Sequence, residues 1–398
     1  MTDPLGQSQV IPYLAGLTQY GYTFTILSCD KPDKYKANKD YVQKLMDPHG
    51  IKWVSIPYHK SPPVLSSVYD FFKLRSAAMR LHKQEKFDMV HTRVGLPTLV
   101  AQWMKRKNGV KFLNDIRGFW ADERVDGGMW NLKNPVYKTI YRFFKKHEQE
   151  CVLEADYNTV LTYAARKEMH TWDFIPNQPL PIEVIPCSAD LELFNPDKVD
   201  GALRNSLQQE LNINDNDCII SYLGSIGGWY LTEEMMRFCK MLGDAIPQAK
   251  FLFISPHRHD EITAAAAKYG VPPAKIITRQ GKRHEVPALL SFSNYSLFFI
   301  KPCYSKISSS PTKHGEIMAM GIPVITNGGV GDVAEIVNNY KAGFVVDDFS
   351  DAAFAKVVEQ IKAQPIFDKK AIRAGAAEFY ALDNAIASYR KVYAAILG

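Results

Sequence analysis

The sequence predicts an α/β protein built from two doubly wound, Rossmann-like domains. Two observations carry this. Short apolar runs rich in Val, Ile and Phe alternate with helix-length amphipathic stretches, which is the pattern of right-handed βαβ units around a mainly parallel sheet. The alternation is interrupted after residue 185 and then restarts, so a chain of 398 residues divides naturally between two cores.

In the first half the strand-like runs are residues 23–28, 52–56, 87–91, 110–114, 157–161 and 182–185. Helical patterns over 7–20, 64–84 and 135–153 separate some of them. Pro186, Pro196 and the polar stretch 212–217 break the alternation. The second set follows: 219–223, 250–254, 275–279, 296–300, 323–326 and 343–346. Ile386, Tyr389, Tyr393 and Ile396 then recur at helical spacing and read as a final packing helix. The expected organisation is an N-terminal domain over 1–186, a second domain over 187–382, and a C-terminal helix over 383–398 that packs near the domain junction. A ligand is expected in the cleft between the domains, because open parallel sheets bind at the carboxyl ends of their strands. One feature departs from a complete first sheet. Such a domain normally opens on a central strand, whereas Thr2-Asp3-Pro4-Leu5-Gly6 leads directly into a helical pattern. The first strand is therefore expected upstream of Met1, and a chain extended by it is expected to be more stable.

Composition excludes several classes. The chain is 46% hydrophobic and 23% charged, with no low-complexity tract. It has no apolar run of about 18 residues and a polar start, which predicts a cytoplasmic protein. Six cysteines, none in a C-x-x-C pair, argue against a zinc cluster or a disulfide framework and read as reduced. Residues 1–150 hold 24 Lys and Arg against 14 Asp and Glu, while the remainder holds 24 against 28. The first half therefore suits an anionic partner, with a solvated basic face as the plainer reading. No basic run interleaved with aromatics marks a nucleic-acid surface, so no nucleic-acid partner is expected.

The most informative segment is Ser308-Ser309-Ser310-Pro311-Thr312-Lys313-His314-Gly315-Glu316-Ile317-Met318-Ala319-Met320-Gly321-Ile322-Pro323. A Pro-started turn enters a short helix whose first amides can cradle a diphosphate, and Lys313 adds a positive charge. Glu316, one turn on, can accept two hydrogen bonds from ribose hydroxyls. In the first half, His91 ends one predicted strand and Asp115 and Arg117 end the next. Polar groups at the ends of adjacent parallel strands face one crevice. Alternatively, His91 is a core histidine and Asp115 with Arg117 an internal ion pair.

The 308–323 segment resembles the donor-nucleotide motif of the retaining GT-B glycosyltransferases, especially glycosyltransferase family 4 enzymes of bacterial surface-polysaccharide synthesis. Three further segments agree with it in order. Val184-Ile185-Pro186-Cys187-Ser188-Ala189-Asp190 resembles the inter-domain signature, with Cys187-Ser188-Ala189 in place of Asn-Gly-Val. Leu223-Gly224-Ser225-Ile226-Gly227-Gly228 resembles the Gly-rich loop of the donor domain, and Gly328-Gly329-Val330-Gly331-Asp332 the loop that closes the donor pocket. The resemblance implies a two-domain GT-B fold and transfer of a sugar, with retention, from a nucleotide-diphosphate donor of the UDP type. The acceptor would be a glycan or a lipid-diphosphate-linked glycan. It implies no metal and no cofactor beyond the donor. Gly6, Gly224, Ser225, Gly227, Ser310, Thr312, Lys313 and Glu316 would hold the donor, and His91, Asp115 and Arg117 would handle the acceptor hydroxyl. The family's second acidic residue, eight positions before Glu316, is Ser308 here. The basic residues usual on the Gly-rich loop are also missing, which leaves Lys313, with Arg279 or Lys282, to neutralise the diphosphate.

Rival readings remain. Gly329-Val330-Gly331-Asp332-Val333-Ala334 satisfies G-x-G-x-x-A, which would suit an NAD-dependent oxidoreductase, although it follows five strand-like runs of its domain instead of the first. A sugar-nucleotide epimerase of GT-B architecture and a non-catalytic binding module are the others. Asp215-Asn216-Asp217 spells a D-x-D but sits in a turn, so no metal is expected there. Finally, Lys133, Lys138, Arg142, Lys145 and Lys146 stud a stretch whose Val136, Tyr137, Ile140, Phe143 and Phe144 recur at helical spacing. This suggests peripheral contact with the inner face of the cell membrane, while core packing explains the same apolar positions.

Overall fold

The computed structural model describes every residue except Pro63 and Pro176, Asn177 and Gln178. The backbone divides into two units. Met1–Cys187 and Leu382–Gly398 form the first, and Ser188–Ala381 the second. The division after Cys187 lies one residue beyond the sequence boundary, and the C-terminal helix counts with the first unit.

The first unit contains β1 (Thr25–Asp30), β2 (Lys52–Pro57), β3 (Met89–Arg93), β4 (Lys111–Ile116), β5 (Tyr157–Val160) and β6 (Ile182–Val184). All pair in parallel, in two sheets ordered β1-β2 and β3-β4-β5-β6. Among the described residues no strand pair joins the two sheets. The helices are α1 (Pro4–Gln9), α2 (Ile11–Thr18), α3 (Pro32–Met46), α4 (Leu65–Glu85), α5 (Leu96–Asn108), α6 (Trp120–Asp126), α7 (Pro135–Glu154) and α8 (Tyr163–Met169). The single helix expected over 7–20 is two. Pro12, in the first turn of α2, has no amide hydrogen to continue an earlier ladder, so the helix restarts at Ile11. One apolar cluster joins α4 and α5, through Leu74, Val100 and Met104, to Leu27 of β1 and Val90 of β3.

In the second unit α9 (Gly201–Glu210) precedes β7 (Cys218–Leu223), α10 (Thr232–Ala245), β8 (Ala249–Ile254), α11 (His259–Lys268), β9 (Ile276–Arg279), α12 (Val286–Leu290) and β10 (Tyr295–Leu297). Then come α13 (Thr312–Ala319), β11 (Val324–Asn327), α14 (Val333–Asn339), β12 (Gly343–Val346), α15 (Asp351–Lys362) and α16 (Lys369–Tyr380). The sheet is parallel in the order β12-β11-β10-β7-β8-β9, so the winding direction reverses between β7 and β10. Residues Phe251 to Ile254 of β8 are all apolar and all buried, as a strand covered on both faces requires. Phe238, Phe299 and Phe354 interlock beside it, the last two stacked at 5.6 Å.

The final helix, α17 (Leu382–Leu397), packs on α2 in the first unit. Tyr13 and Tyr389 meet at 5.5 Å. A Cβ on Gly16 would fall 2.2 Å from the Ile386 side chain, so the close approach of the two helices depends on that glycine. Each of the twelve apolar runs read as strands is a strand, with ends displaced by three residues or fewer.

Candidate functional site

β7 ends at Leu223 and passes into Gly224-Ser225-Ile226-Gly227-Gly228, at the point where the winding of the sheet reverses. Gly224, Gly227 and Gly228 have φ of +113°, +72° and +62°, a region in which a side chain is strained. Gly224 has a second reason to be glycine: a Cβ there would lie 3.0 Å from Nζ of Lys313. The ammonium of Lys313 therefore sits directly beneath this loop, buried on α13. It donates to the Tyr222 hydroxyl at 3.3 Å and lies 4.3 Å and 3.7 Å from the ring centroids of Tyr222 and Tyr230. Two ring faces attract the cation without neutralising it. Burial pushes its pKa down to about 7, against a smaller upward pull from Glu316.

The N-terminus of α13 has no side-chain cap, because the residue before it is Pro311. Its first amides and the helix dipole favour an anion here. Ser310 and Thr312 stand half-buried at this end. One turn on, Glu316 is buried and pairs with Nη1 of Arg283 at 2.5 Å. Burial pushes its carboxyl up and Arg283 pulls it back down. Arg283 is half-exposed and lies 4.8 Å over the ring of Phe194. His314, between the two, accepts or donates at Nδ1 to the Tyr380 hydroxyl at 2.9 Å, and burial lowers its pKa to about 3, so the ring is neutral. Gly315 lets α16 approach, since a Cβ there would be 2.6 Å from the Tyr380 ring. The helix is thus anchored on one side by His314 and Gly315 and presents Lys313 and Glu316 on another.

The positive charge absent from the Gly-rich loop arrives from elsewhere in the fold. Arg258, which follows β8, donates to the Ile226 carbonyl at 3.1 Å and closes against Gly227, while its Nε pairs with Glu261 at 2.8 Å. Lys306 lies 3.8 Å over the ring of Trp229. Arg279 does not serve this purpose: its guanidinium pairs with Glu210 at 2.8 Å and Glu285 at 3.4 Å. Sequence reasoning missed Tyr222, Tyr230, Arg258 and Arg283. Only Tyr222 carried a signal, as the residue two before Gly224 on a strand aimed at the loop.

The Gly329 fingerprint follows β11, the fifth strand of its sheet, and its Gly331 amide is bound to the Lys306 carbonyl at 2.8 Å. A dinucleotide fingerprint belongs on the first βα turn, so the oxidoreductase reading is not favoured.

In the first unit His91, Asp115 and Arg117 do come together. Asp115 is buried and receives Thr159 Oγ1 at 2.8 Å, the Tyr389 hydroxyl at 3.0 Å and His91 Nε2 at 3.3 Å. Arg93 Nε and Arg117 Nη1 stand 3.5 Å and 3.9 Å away. Burial pushes this carboxyl up, but Arg117, His91 and Arg93 together hold it well below the ordinary carboxylate range. Both ring nitrogens of His91 are engaged, Nδ1 by the Tyr393 hydroxyl at 2.8 Å. Arg117 also donates to the Ile185 carbonyl at 3.3 Å and to the Cys187 sulfur at 3.4 Å. Gly6 lies within α1, where a Cβ would be 2.6 Å from the Met1 carbonyl, so its close approach is to the chain's own backbone. Among the described residues no group of three His, Cys, Asp or Glu could hold a metal ion.

Residues 204–378 match the family described as Glycosyl transferases group 1. No curated protein sequence matches the chain. Similar folds occur among solved structures. A glycosyltransferase from Rickettsia africae has a TM-score of 0.71 at 16% identity, over 99% of this chain and 96% of that one. Sucrose-phosphate synthase from Thermosynechococcus elongatus has a TM-score of 0.70 at 16% identity, over 96% and 92%. HepE of Anabaena, solved with UDP and glucose, has a TM-score of 0.62 at 12% identity, over 94% and 100%. The match to the group 1 model thus falls within the second unit, and the fold of the chain is that of the two-domain GT-B glycosyltransferases.

Proposed function

We propose that this protein transfers a sugar from a UDP-linked donor to a hydroxyl of a glycan or lipid-diphosphate-linked glycan, with retention, in surface-polysaccharide synthesis. The observation that carries the reading is the buried ammonium of Lys313, held beneath the Gly-rich loop with no carboxylate among the described residues in direct contact, one turn before Glu316. A buried cation between two aromatic rings is costly unless an anion completes it. A diphosphate at the α13 terminus supplies that anion, and Glu316 then meets ribose hydroxyls. HepE, which shares the fold, was solved with UDP and with UDP-glucose.

In this mechanism the acceptor oxygen bonds to the anomeric carbon on the face from which the diphosphate departs. The bond from that carbon to the phosphate oxygen breaks, and the acceptor proton passes to the leaving diphosphate. No protein nucleophile is needed. Lys313 and the helix amides stabilise charge that grows on the leaving group, and the protein otherwise positions the reactants. In the first unit His91, Asp115 and Arg117 would order the acceptor side, and the basic first unit would meet the membrane.

Thermal-shift titration with a panel of nucleotides tests the donor site, with a shift by UDP expected and lost stabilisation in Glu316→Gln. Removing the ribose contacts should weaken UDP about 10-fold or more, the worth of one or two hydrogen bonds to a charged group. No shift by any nucleoside diphosphate would refute the reading. Chelation with EDTA should leave transfer unchanged, since Lys313 and the helix amides neutralise the diphosphate. Activity lost on chelation and restored by manganese would overturn that part. Donor consumed without acceptor, giving an isomeric sugar nucleotide, would make the protein an epimerase.

A further inference from the structure

α4 is amphipathic the wrong way round for a helix covered by its own domain. Its inner face buries Ser66, Asp70, Leu74, Ala77 and Leu81. Its outer face should be polar, yet its first two turns present Leu65, Val68, Tyr69 and Phe72, which are 68%, 48%, 49% and 56% exposed. Positions 65, 68, 69 and 72 form one stripe at helical spacing. Four large apolar side chains contiguous on one face are unlike the scattered single exposures that every protein surface carries.

The charge around the stripe identifies its occupant. Lys73, Arg80 and Lys83 are exposed on the same side of the helix. The two carboxylates of α4 are both spent: Asp70 is buried against His59, at 2.5 Å from Nδ1 and 2.8 Å from the backbone amide, and Glu85 takes Lys52 at 3.2 Å. The outer face of α4 itself therefore presents apolar and cationic side chains and no carboxylate, in the half of the chain where Lys and Arg exceed Asp and Glu. A tyrosine within such a stripe suits the boundary between headgroups and acyl chains. A second protein would need a shaped, partly polar counter-surface, whereas a bilayer with anionic headgroups needs only this combination.

We propose that α4 docks this protein on an anionic lipid surface, with Leu65, Val68, Tyr69 and Phe72 entering the interface and Lys73, Arg80 and Lys83 meeting the headgroups. The stretch on α7 highlighted by its sequence is the weaker of the two. Its Lys145 is engaged by Asp122 at 2.9 Å and by Glu148, Tyr137, Ile140 and Phe144 are partly buried, and only Val136 and Phe143 of its apolar positions are exposed. α4 and α7 both pack on α5, so they belong to one helix layer. This inference rests on the membrane contact proposed above and relocates it; it is independent of the sugar-transfer reading.

Co-sedimentation of the full chain with vesicles of phosphatidylcholine alone, and with 30% phosphatidylglycerol, tests it. Binding is expected only to the anionic vesicles and should fall steeply with added salt. Leu65→Ser with Phe72→Ser, both at exposed positions, should lower partitioning roughly tenfold or more, because apolar insertion and charge act together, while the UDP-induced thermal shift stays unchanged. Val136→Ser with Phe143→Ser should change partitioning little. Binding lost in the α7 pair and kept in the α4 pair would overturn the proposal but keep a membrane contact. No binding to either vesicle would overturn both. A dimer in solution that the α4 pair dissociates would assign the stripe to a second copy and overturn it as well.

Discussion

Lys313→Met is expected to make the ligand-free protein more stable and the enzyme about 10²–10³-fold slower, the loss typical of removing one preorganised group that stabilises developing charge. The two effects have one cause. With no anion present, folding moves the Lys313 ammonium out of water and between two aromatic rings, and methionine fills the same space without a charge. The pH dependence follows from the native pKa of about 7 against about 10.4 in the unfolded chain. Below pH 7 the lysine is protonated in both states and the full cost is present. Between the two values the unfolded chain binds more protons, so stability rises with pH. The melting-temperature gap between the variant and the parent should therefore be widest below pH 7 and close towards pH 10. A bound diphosphate reverses the balance by favouring the ammonium. UDP binding above pH 7 should take up a proton and weaken as pH rises, which calorimetry in buffers of different ionisation enthalpy measures directly. If Lys313→Met transferred sugar at the parental rate, α13 would not hold the donor.

Asp115→Ala should destabilise the protein by about 3–5 kcal/mol, because it strips the counter-charge from a buried arginine. Arg117 is almost wholly buried, and with Asp115 gone its remaining partners are neutral: a carbonyl, a thiol and the Tyr389 hydroxyl. His91 and the Tyr389 hydroxyl would also lose a partner. The folded-state pKa of Asp115 is depressed, so its contribution is complete above the unfolded value near 4 and disappears as pH falls through the folded one. The stability difference between parent and Asp115→Asn should accordingly be flat from pH 5 to 8 and shrink in strong acid. Urea denaturation across that range measures it. If Asp115→Asn kept the parental stability and lost turnover, Asp115 would act on the acceptor and not within an internal network.

The segment proposed to hold the donor was legible because its parts are local. A Pro-started helix, a lysine in its first turn and a carboxylate one turn later are set by positions three apart on a single element. The Gly-rich loop was legible for a similar reason, since a strand end followed by Gly224, Gly227 and Gly228 needs only backbone freedom. The partners of these groups were not legible. Tyr222 and Tyr230 reach Lys313 from about 90 residues earlier in the chain, and Arg283 reaches Glu316 from another loop. No periodicity encodes such pairs. The same holds for the basic residues looked for on the Gly-rich loop, where Arg258 and Lys306 arrive from the connections after β8 and β10.

By itself the sequence determined twelve strands, the restart of the alternation and the helix that carries Lys313 and Glu316, because hydrophobic period, proline and glycine act within a few residues. It did not determine that α2 restarts at Pro12 or that α17 closes over His91 and Asp115 with Tyr393 and Tyr389. Nor did it single out α4, whose apolar outer positions look like core in a one-dimensional pattern until packing turns Asp70 and Leu74 inward and leaves Leu65 and Phe72 outside. Those outcomes belong to the tertiary structure. Which face of a helix is covered, and which charges meet, depends on elements distant in the chain that only the completed sheet brings together.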